Sequence, residues 1–443
     1  MPKMLPETIV VLDFGGPNSH LLARKIRSLH VYCEILPYHA GLEDIKGKNP
    51  RGLVFSGDQV LAPDDCALSC QAGVFDLELP ILGLDHGFRQ LADLQEAAII
   101  GSRILHTPKG TQALQNFLFD SCGCSGNWQM SSYLDYIIDE IRDQVGGKQV
   151  LLGLSGGVDS SVVCALLYRA IGEQLTAVFV DHGLLRKNER SEVEAVFSPQ
   201  LKEKLIVVDS SKRFLSRLAG VNDPEQKRKI IGAEFIAVFG ETARGLGQLD
   251  FLAQGTIYPD VVESKSADGK TIKSHHNVGG LPKDLPFCGL VEPLRHLFKD
   301  EVRELGLLLG LPKNTVNRPP FPGPGLAVRV IGEVTEEKLT ILREADSIVR
   351  EEVEKAITPQ PASQYFAILT GLRSVGMKNN ERSYDYTVAV RAVSTDDFMS
   401  ANWVRLPHET LDTISRRIVS EAPHVNRVVY DITAKPPASI EWE

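Results

Sequence analysis

The stretch Val-Leu-Leu-Gly-Leu-Ser-Gly-Gly-Val-Asp-Ser-Ser-Val-Val-Cys-Ala, residues 150–165, constrains this chain more than any other. Its apolar opening, Val150 to Leu154, reads as a buried parallel strand, the glycines mark a turn, and Val162 to Tyr168 reads as the opening of a packed helix. Strand, loop and helix in that order commit this region to a parallel α/β layer.

Such a turn presents consecutive backbone N–H groups and a helix N-terminus to one point, which suits a multiply charged anion. Gly156 and Gly157 let the main chain come close, Ser155, Ser160 and Ser161 add hydroxyl donors, and Val158 and Asp159 complete the string, with Asp159 placed to meet a phosphate-bound Mg²⁺. The lysine of a Walker loop is missing, so the loop suits pyrophosphate as a leaving group. A bare Ser-Gly-Gly is as readily a plain glycine turn; the whole string after a clean apolar strand favours the phosphate loop. It resembles the phosphate loop of the ATP-pyrophosphatase superfamily, whose members adenylate a carbonyl oxygen. The resemblance implies ATP and Mg²⁺, with AMP and pyrophosphate as products.

A chain of 443 residues should hold two or three domains. A formal charge of −9 weighs against nucleic acid as the main partner. No apolar run reaches membrane-spanning length and Met1 to Glu7 lacks the regions of a signal peptide, so no membrane association and a cytoplasmic location are expected. The seven cysteines include no Cys-x-x-Cys pair and read as reduced packing residues.

Before this stretch, Thr8 to Phe14, Val31 to Leu36, Gly52 to Phe55 and Pro80 to Leu84 read as strands with helices between them, Ser19 to Leu29 among these, in a doubly wound α/β pattern. Asp13-Phe14-Gly15, Val31-Tyr32-Cys33-Glu34-Ile35 and Gly83-Leu84-Asp85-His86-Gly87 resemble the class I glutamine amidotransferase family. In that family the last turn is a nucleophile elbow, Gly-x-Cys-x-Gly, exposing a thiolate. Here Asp85 stands at the nucleophile position. The family's oxyanion loop appears as Ser56-Gly57-Asp58-Gln59, and the chain runs on to Ile104-Leu105-His106-Thr107 without the family's His-Pro-Glu or the glutamine-binding stretch before it. Residues 1–122 are therefore expected to be a flavodoxin-like, degenerate amidotransferase domain without glutaminase activity, packing on the rest or docking a separate glutaminase.

Residues 123–318 continue with an amphipathic helix (Ser131 to Val145), the loop, and further strands at Leu175 to Asp181, Lys204 to Asp209 and Leu249 to Ala253. Parallel neighbours place their C-terminal ends on one rim, so Val180 and Asp181 should lie beside the loop, where adenosine would sit. Asp223 to Gly232 opens a helix with an acid at its cap, and Gln254 to Asp260 follows the last of these strands. These segments resemble the ATP-pyrophosphatase domain of the GMP synthetase family. The resemblance implies that Arg228 reaches the phosphate of a nucleotide substrate, and that Lys273 to Pro282 forms a lid with Lys273 and His276 at the reacting groups. Asp159, Lys273 and His276 are the candidate catalytic residues.

Asn317 to Gly325, dense in proline and glycine, marks a boundary. Residues 319–443 then read as an α+β domain: strands Leu326 to Ile331, Tyr365 to Leu369, Tyr386 to Val393 and Val425 to Asp431, with helices Thr335 to Ala356 and Glu409 to Ser420. Arg373 to Gly376 and the terminus Lys435 to Glu443 resemble the GMP synthetase dimerisation domain. That implies a homodimer, with Lys435 and Glu441 holding a xanthosine nucleotide. The function implied is amination of xanthosine monophosphate, or a related purine nucleotide, by ammonia and not glutamine. Two alternatives stay open: adenylation for attack by another nucleophile such as sulfur, with Cys122, Cys124 or Cys164 as carrier, and a non-catalytic nucleotide-binding protein.

Overall fold

The structure is a computed structural model and describes residues 7–15, 18–57, 70–85, 98–100, 108–264, 287–358, 361–378, 380–395 and 400–443. The chain divides into two compact units, one drawing on residues 1–140, 256–274 and 294–308, the other on 141–255, 275–293 and 309–443.

In the first unit, β1 (Thr8–Asp13), β2 (Tyr32–Pro37), β3 (Pro50–Gly57), β4 (Ile81–Asp85) and β5 (Ala98–Ile100) form a parallel sheet in the order β2-β1-β3-β4-β5. This is the flavodoxin-like order expected from the sequence. Ile9, Val10, Val11 and Leu12 are all fully buried, because a parallel sheet is covered on both faces. The helix Asn18–Ser28 covers one face with Leu22, Ala23 and Ile26. Its Arg27 lies over the rings of Tyr32 and Trp128, at 4.1 and 4.8 Å, and donates to Glu301 at 3.0 Å. Burial works against that charge, and the adjacent Glu301 carboxylate, with Cys33 and Tyr32, more than offsets it and holds the guanidinium above its usual pKa.

The second unit holds two sheets. β6 (Val150–Gly153), β7 (Leu175–Asp181), β8 (Leu205–Asp209), β9 (Phe251–Ala253) and β10 (Gly289–Val291) are parallel, in the order β10-β9-β6-β7-β8. The helix after β6 starts at Val158 and not at Val162, which shortens the loop and puts Asp159, Ser160 and Ser161 in its first turn. β11 (Gln364–Lys378), β12 (Glu381–Ser394), β13 (Asn402–Trp403) and β14 (Val425–Tyr430) make the other sheet. The helices Glu336–Lys355 and His408–Glu421 fall where the apolar spacing predicts them, and Thr335 caps the first by accepting from the Lys338 N–H at 3.3 Å.

Two expectations change here. Leu326 to Ile331 is not a strand: Gly325–Arg329 forms a 3₁₀ turn, and only Val330 makes a bridge, to Leu369. The Leu326 N–H donates to Leu184 O at 2.8 Å, and Ala327 O and Val330 O accept from Lys227 at 3.3 and 2.7 Å, so this backbone is satisfied outside a ladder. The hairpin of β11 and β12 is also longer than its apolar cores suggest: past an irregularity after Leu369, pairing resumes from Arg373↔Tyr386 to Lys378↔Glu381. Among the described residues no helix is long and apolar enough to cross a membrane.

Candidate active site

β6 lies between β7 and β9, and the chain leaves it toward β7 through the helix Val158–Ile171, so the rim between β6 and β9 is where the strand order reverses. Crevices of this kind, at the carboxyl ends of the strands, are where open α/β sheets take ligands. The loop Ser155-Gly156-Gly157 stands there. Gly156 has φ +78°, a left-handed conformation that other residues take only with strain, and it turns the chain sharply into the helix. Ser155 Oγ and Ser160 Oγ are 2.9 Å apart, Ser160 Oγ donates to Gly157 O at 3.1 Å, and the Gly157 N–H donates to Ser155 Oγ at 3.3 Å. Among the described residues the N–H groups of Gly156 and Val158 have no acceptor, and the buried Ser161 Oγ has no partner. Unspent donors at a helix start and an orphaned hydroxyl fit a phosphate chain.

Asp159 sits half-buried in the first helical turn. Among the described residues no group of three or more His, Cys, Asp or Glu gathers as a metal cage. A Mg²⁺ here would therefore take one protein carboxylate and otherwise phosphate oxygens or water, which is how that ion is commonly held. From β9, Gly255 presses close: a Cβ on it would lie 3.2 Å from the Asp159 Cβ.

Val180 is buried in β7 as expected, and the Leu154 N–H donates to Val178 O at 2.8 Å, tying the loop to that strand. The Asp181 carboxylate is engaged, accepting from the Gly183 N–H at 2.9 Å and facing Arg190 at 3.4 Å. A cavity of about 510 Å³ opens beyond it, with Asp181, Arg190, Lys212 and Arg343 in its walls. Ser155 to Ser161 do not line that cavity, so the loop's donors, and not its volume, mark the site.

Of Arg228, Lys435 and Glu441, expected from the sequence to hold a nucleotide, Arg228 and Glu441 are engaged in ion-paired and hydrogen-bonded contacts around the C-terminal residues. Glu441 receives a two-pronged Arg329 at 2.9 and 3.1 Å. Arg228 donates to the main-chain oxygen of Glu443 at 2.5 Å, and the Glu443 carboxylate accepts from Lys227 and, at 3.1 Å, from the Gly332 N–H. Lys227 is fully buried, and burial pulls its pKa below the usual lysine value. Lys435 is fixed through its main chain, paired with Ala401. Phe321 lies beside this group, with the guanidinium of Arg186 at 4.2 Å and that of Arg329 at 5.2 Å from its centroid.

Lys273, His276, Asp58, Gln59, His86 and His106 lie outside the described residues. Asp85 ends β4, paired in register with Gly57 of β3. Arg329 and Lys227 were not reached by sequence reasoning as site residues, because each acts on a partner far along the chain, Arg329 on Glu441 and Lys227 on Glu443. The candidate sulfur carriers are poor nucleophiles: burial pushes the Cys122 thiol up to about 12 and that of Cys124 to about 11, and raises the fully buried Cys164 further.

The PP-loop domain family matches residues 130–214 and the GMP synthase C terminal domain family matches residues 351–442. A protein of Acetivibrio thermocellus named GMP synthase (glutamine-hydrolyzing) is 48% identical over 508 aligned residues, covering 99% of each chain. Proteins of the same name from Ruminiclostridium cellulolyticum and Carboxydothermus hydrogenoformans are 46% and 48% identical, each aligned over 99% of its own length. The alignments are longer than the 443-residue chain, so these relatives carry residues opposite gaps in it.

Proposed function

The chain belongs to the GMP synthase family, and from that premise we propose that it aminates xanthosine monophosphate to GMP with ATP, taking ammonia and not glutamine as nitrogen donor. The observation that carries the synthetase reading is the loop after β6, with N–H donors and a Ser161 hydroxyl that have no partner among the described residues, at the strand-order switch. ATP adenylates the C2 oxygen of the purine, pyrophosphate leaves, and ammonia displaces AMP. Ser155, Gly156, Gly157, Val158, Ser160 and Ser161 hold the departing pyrophosphate, the Val180 main chain lies beside adenosine, and Asp159 orients the phosphates. Mg²⁺ at Asp159 would offset the charge of the phosphate chain. Arg228, Lys435 and Glu441 hold the xanthosine nucleotide, and Lys273 and His276 approach the reacting groups from the segment after Ser264.

Ammonia dependence rests on Asp85. The related proteins are named for glutamine hydrolysis, whereas a carboxylate at the elbow position lacks the thiolate's nucleophilicity toward an amide. We further propose the three-domain division 1–122, 123–318 and 319–443; each of the three sheets falls within one of these segments.

The outer hairpin supports a homodimer. Leu372, Val375, Met377 and Tyr384 are each more than 60% exposed there, with Val375 directly opposite Tyr384. Large apolar side chains gathered on an exposed ribbon fit self-association.

The test is pyrophosphate release and GMP formation from Mg-ATP and xanthosine monophosphate with no donor, with glutamine, and with ammonium at raised pH. GMP with ammonium alone is the expected result. Equal rates with glutamine would end the ammonia-only reading, and no GMP with either donor would end the synthetase reading.

A further inference from the structure

Resting on the ATP site proposed above, we propose that Arg318 is a positioning residue that latches the Gly156–Gly157 peptide in its anion-accepting orientation. Arg318 NH1 carries two hydrogens, one directed to Gly156 O at 3.2 Å and the other to Glu189 Oε1 at 2.9 Å; NH2 is bound by the Glu192 carboxylate. In a trans peptide the C=O and the following N–H point in opposite directions. Holding the Gly156 carbonyl toward Arg318 therefore turns the Gly157 N–H the other way, onto the Ser155 hydroxyl inside the loop.

That orientation needs holding. Rotating the peptide plane by half a turn changes ψ of Gly156 and φ of Gly157, and φ of Gly157 would pass from −72° to the positive side. Only glycine takes such a change at little cost, so two adjacent glycines make this the most easily flipped peptide of the loop. Flipped, it would turn a carbonyl oxygen into the loop, where the pyrophosphate is proposed to sit, and take the Gly157 N–H off the Ser155 hydroxyl, setting a partial negative charge against the anion.

Arg318 is well placed to prevent the flip and poorly placed to attract phosphate itself. Its charge is already met by two carboxylates, and its side chain is 12% exposed. Glu189 is fixed in turn, since its other oxygen accepts from the Arg186 N–H at 3.0 Å. The mount is stiff as well: Arg318 runs into Pro319 and Pro320, whose carbonyl oxygens accept from Arg186 NH2 at 3.3 and 3.2 Å.

The experiment compares the full-length chain with Arg318→Gln and Arg318→Lys. Calorimetry measures binding of Mg-bound ATP carrying a methylene bridge between the α- and β-phosphorus, of AMP, and of xanthosine monophosphate, alongside the thermal midpoint. Arg318→Gln should weaken the ATP analogue by at least about tenfold and AMP by less than about threefold, because only the analogue carries the pyrophosphate. Xanthosine monophosphate binding should not change, and Arg318→Lys should fall between Gln and wild type, since an ammonium lacks the planar fork. Should Arg318→Gln unfold the protein, Arg318→Lys carries the same comparison. Equal losses for analogue and AMP, or no loss for either, would overturn the latch. Wild-type protein that binds xanthosine monophosphate but neither adenine nucleotide would overturn the ATP site and the latch with it.

Discussion

His182 shows how one side chain after β7 records its surroundings. It is buried, its Nδ1 accepts from the Leu184 N–H at 3.0 Å, and burial, aided by Arg343, lowers its pKa from 6.5 against the opposing pull of Asp181 and Glu189. The unfolded chain therefore takes up this proton first as pH falls. The stability it protects is complete above 6.5 and declines below that value. The thermal midpoint of the wild type should drop more steeply below pH 6.5 than that of His182→Gln; parallel profiles would show that His182 stays outside the acid limb. Residues of this kind divide by how far away their partners are. Ser155 to Ser161 were legible because their chemistry is local to one turn. Arg318 was not, because proline and glycine around it read only as a boundary, and its partner Gly156 is remote in the chain.

At the scale of elements, apolar spacing located the strands and helices whose interiors carry it, including β6, β7 and the helix Glu336–Lys355. It misread Leu326 to Ile331, where Leu326, Ala327, Val328 and Val330, with Arg329 between them, are buried without a ladder: a turn and a strand bury such a segment equally well. It also stopped β11 at Leu369, since the outer hairpin buries too little to show a pattern. The turn after Pro324 depends on Gly325, with φ +62° and a Cβ position only 2.4 Å from Leu184 O. Gly325→Ala should cost at least about 2 kcal/mol in denaturant unfolding, from left-handed strain and the displaced Leu184 contact. A loss below about 0.5 kcal/mol would mean that the turn adjusts more readily than its geometry suggests.

At the scale of the whole molecule, among the described residues the hairpin of β11 and β12 gathers four exposed large hydrophobic side chains, Leu372, Val375, Met377 and Tyr384. Val375→Lys combined with Tyr384→Lys should convert a dimer to a monomer in light scattering while moving the thermal midpoint little, because both side chains are already exposed. Wild-type protein that is monomeric at micromolar concentration would sink the dimer. The order of the central sheet carries one more consequence. β6, which launches the loop, pairs with β9 roughly a hundred residues further along, Val150 opposite Phe251. Closing so long a span comes late among folding events, since its entropy must be met before the pairing returns anything. On a ribosome the strand, loop and helix emerge together, yet the crevice is one-sided until β9 has followed, so a nascent chain presents the phosphate loop long before it has a pocket to put it in.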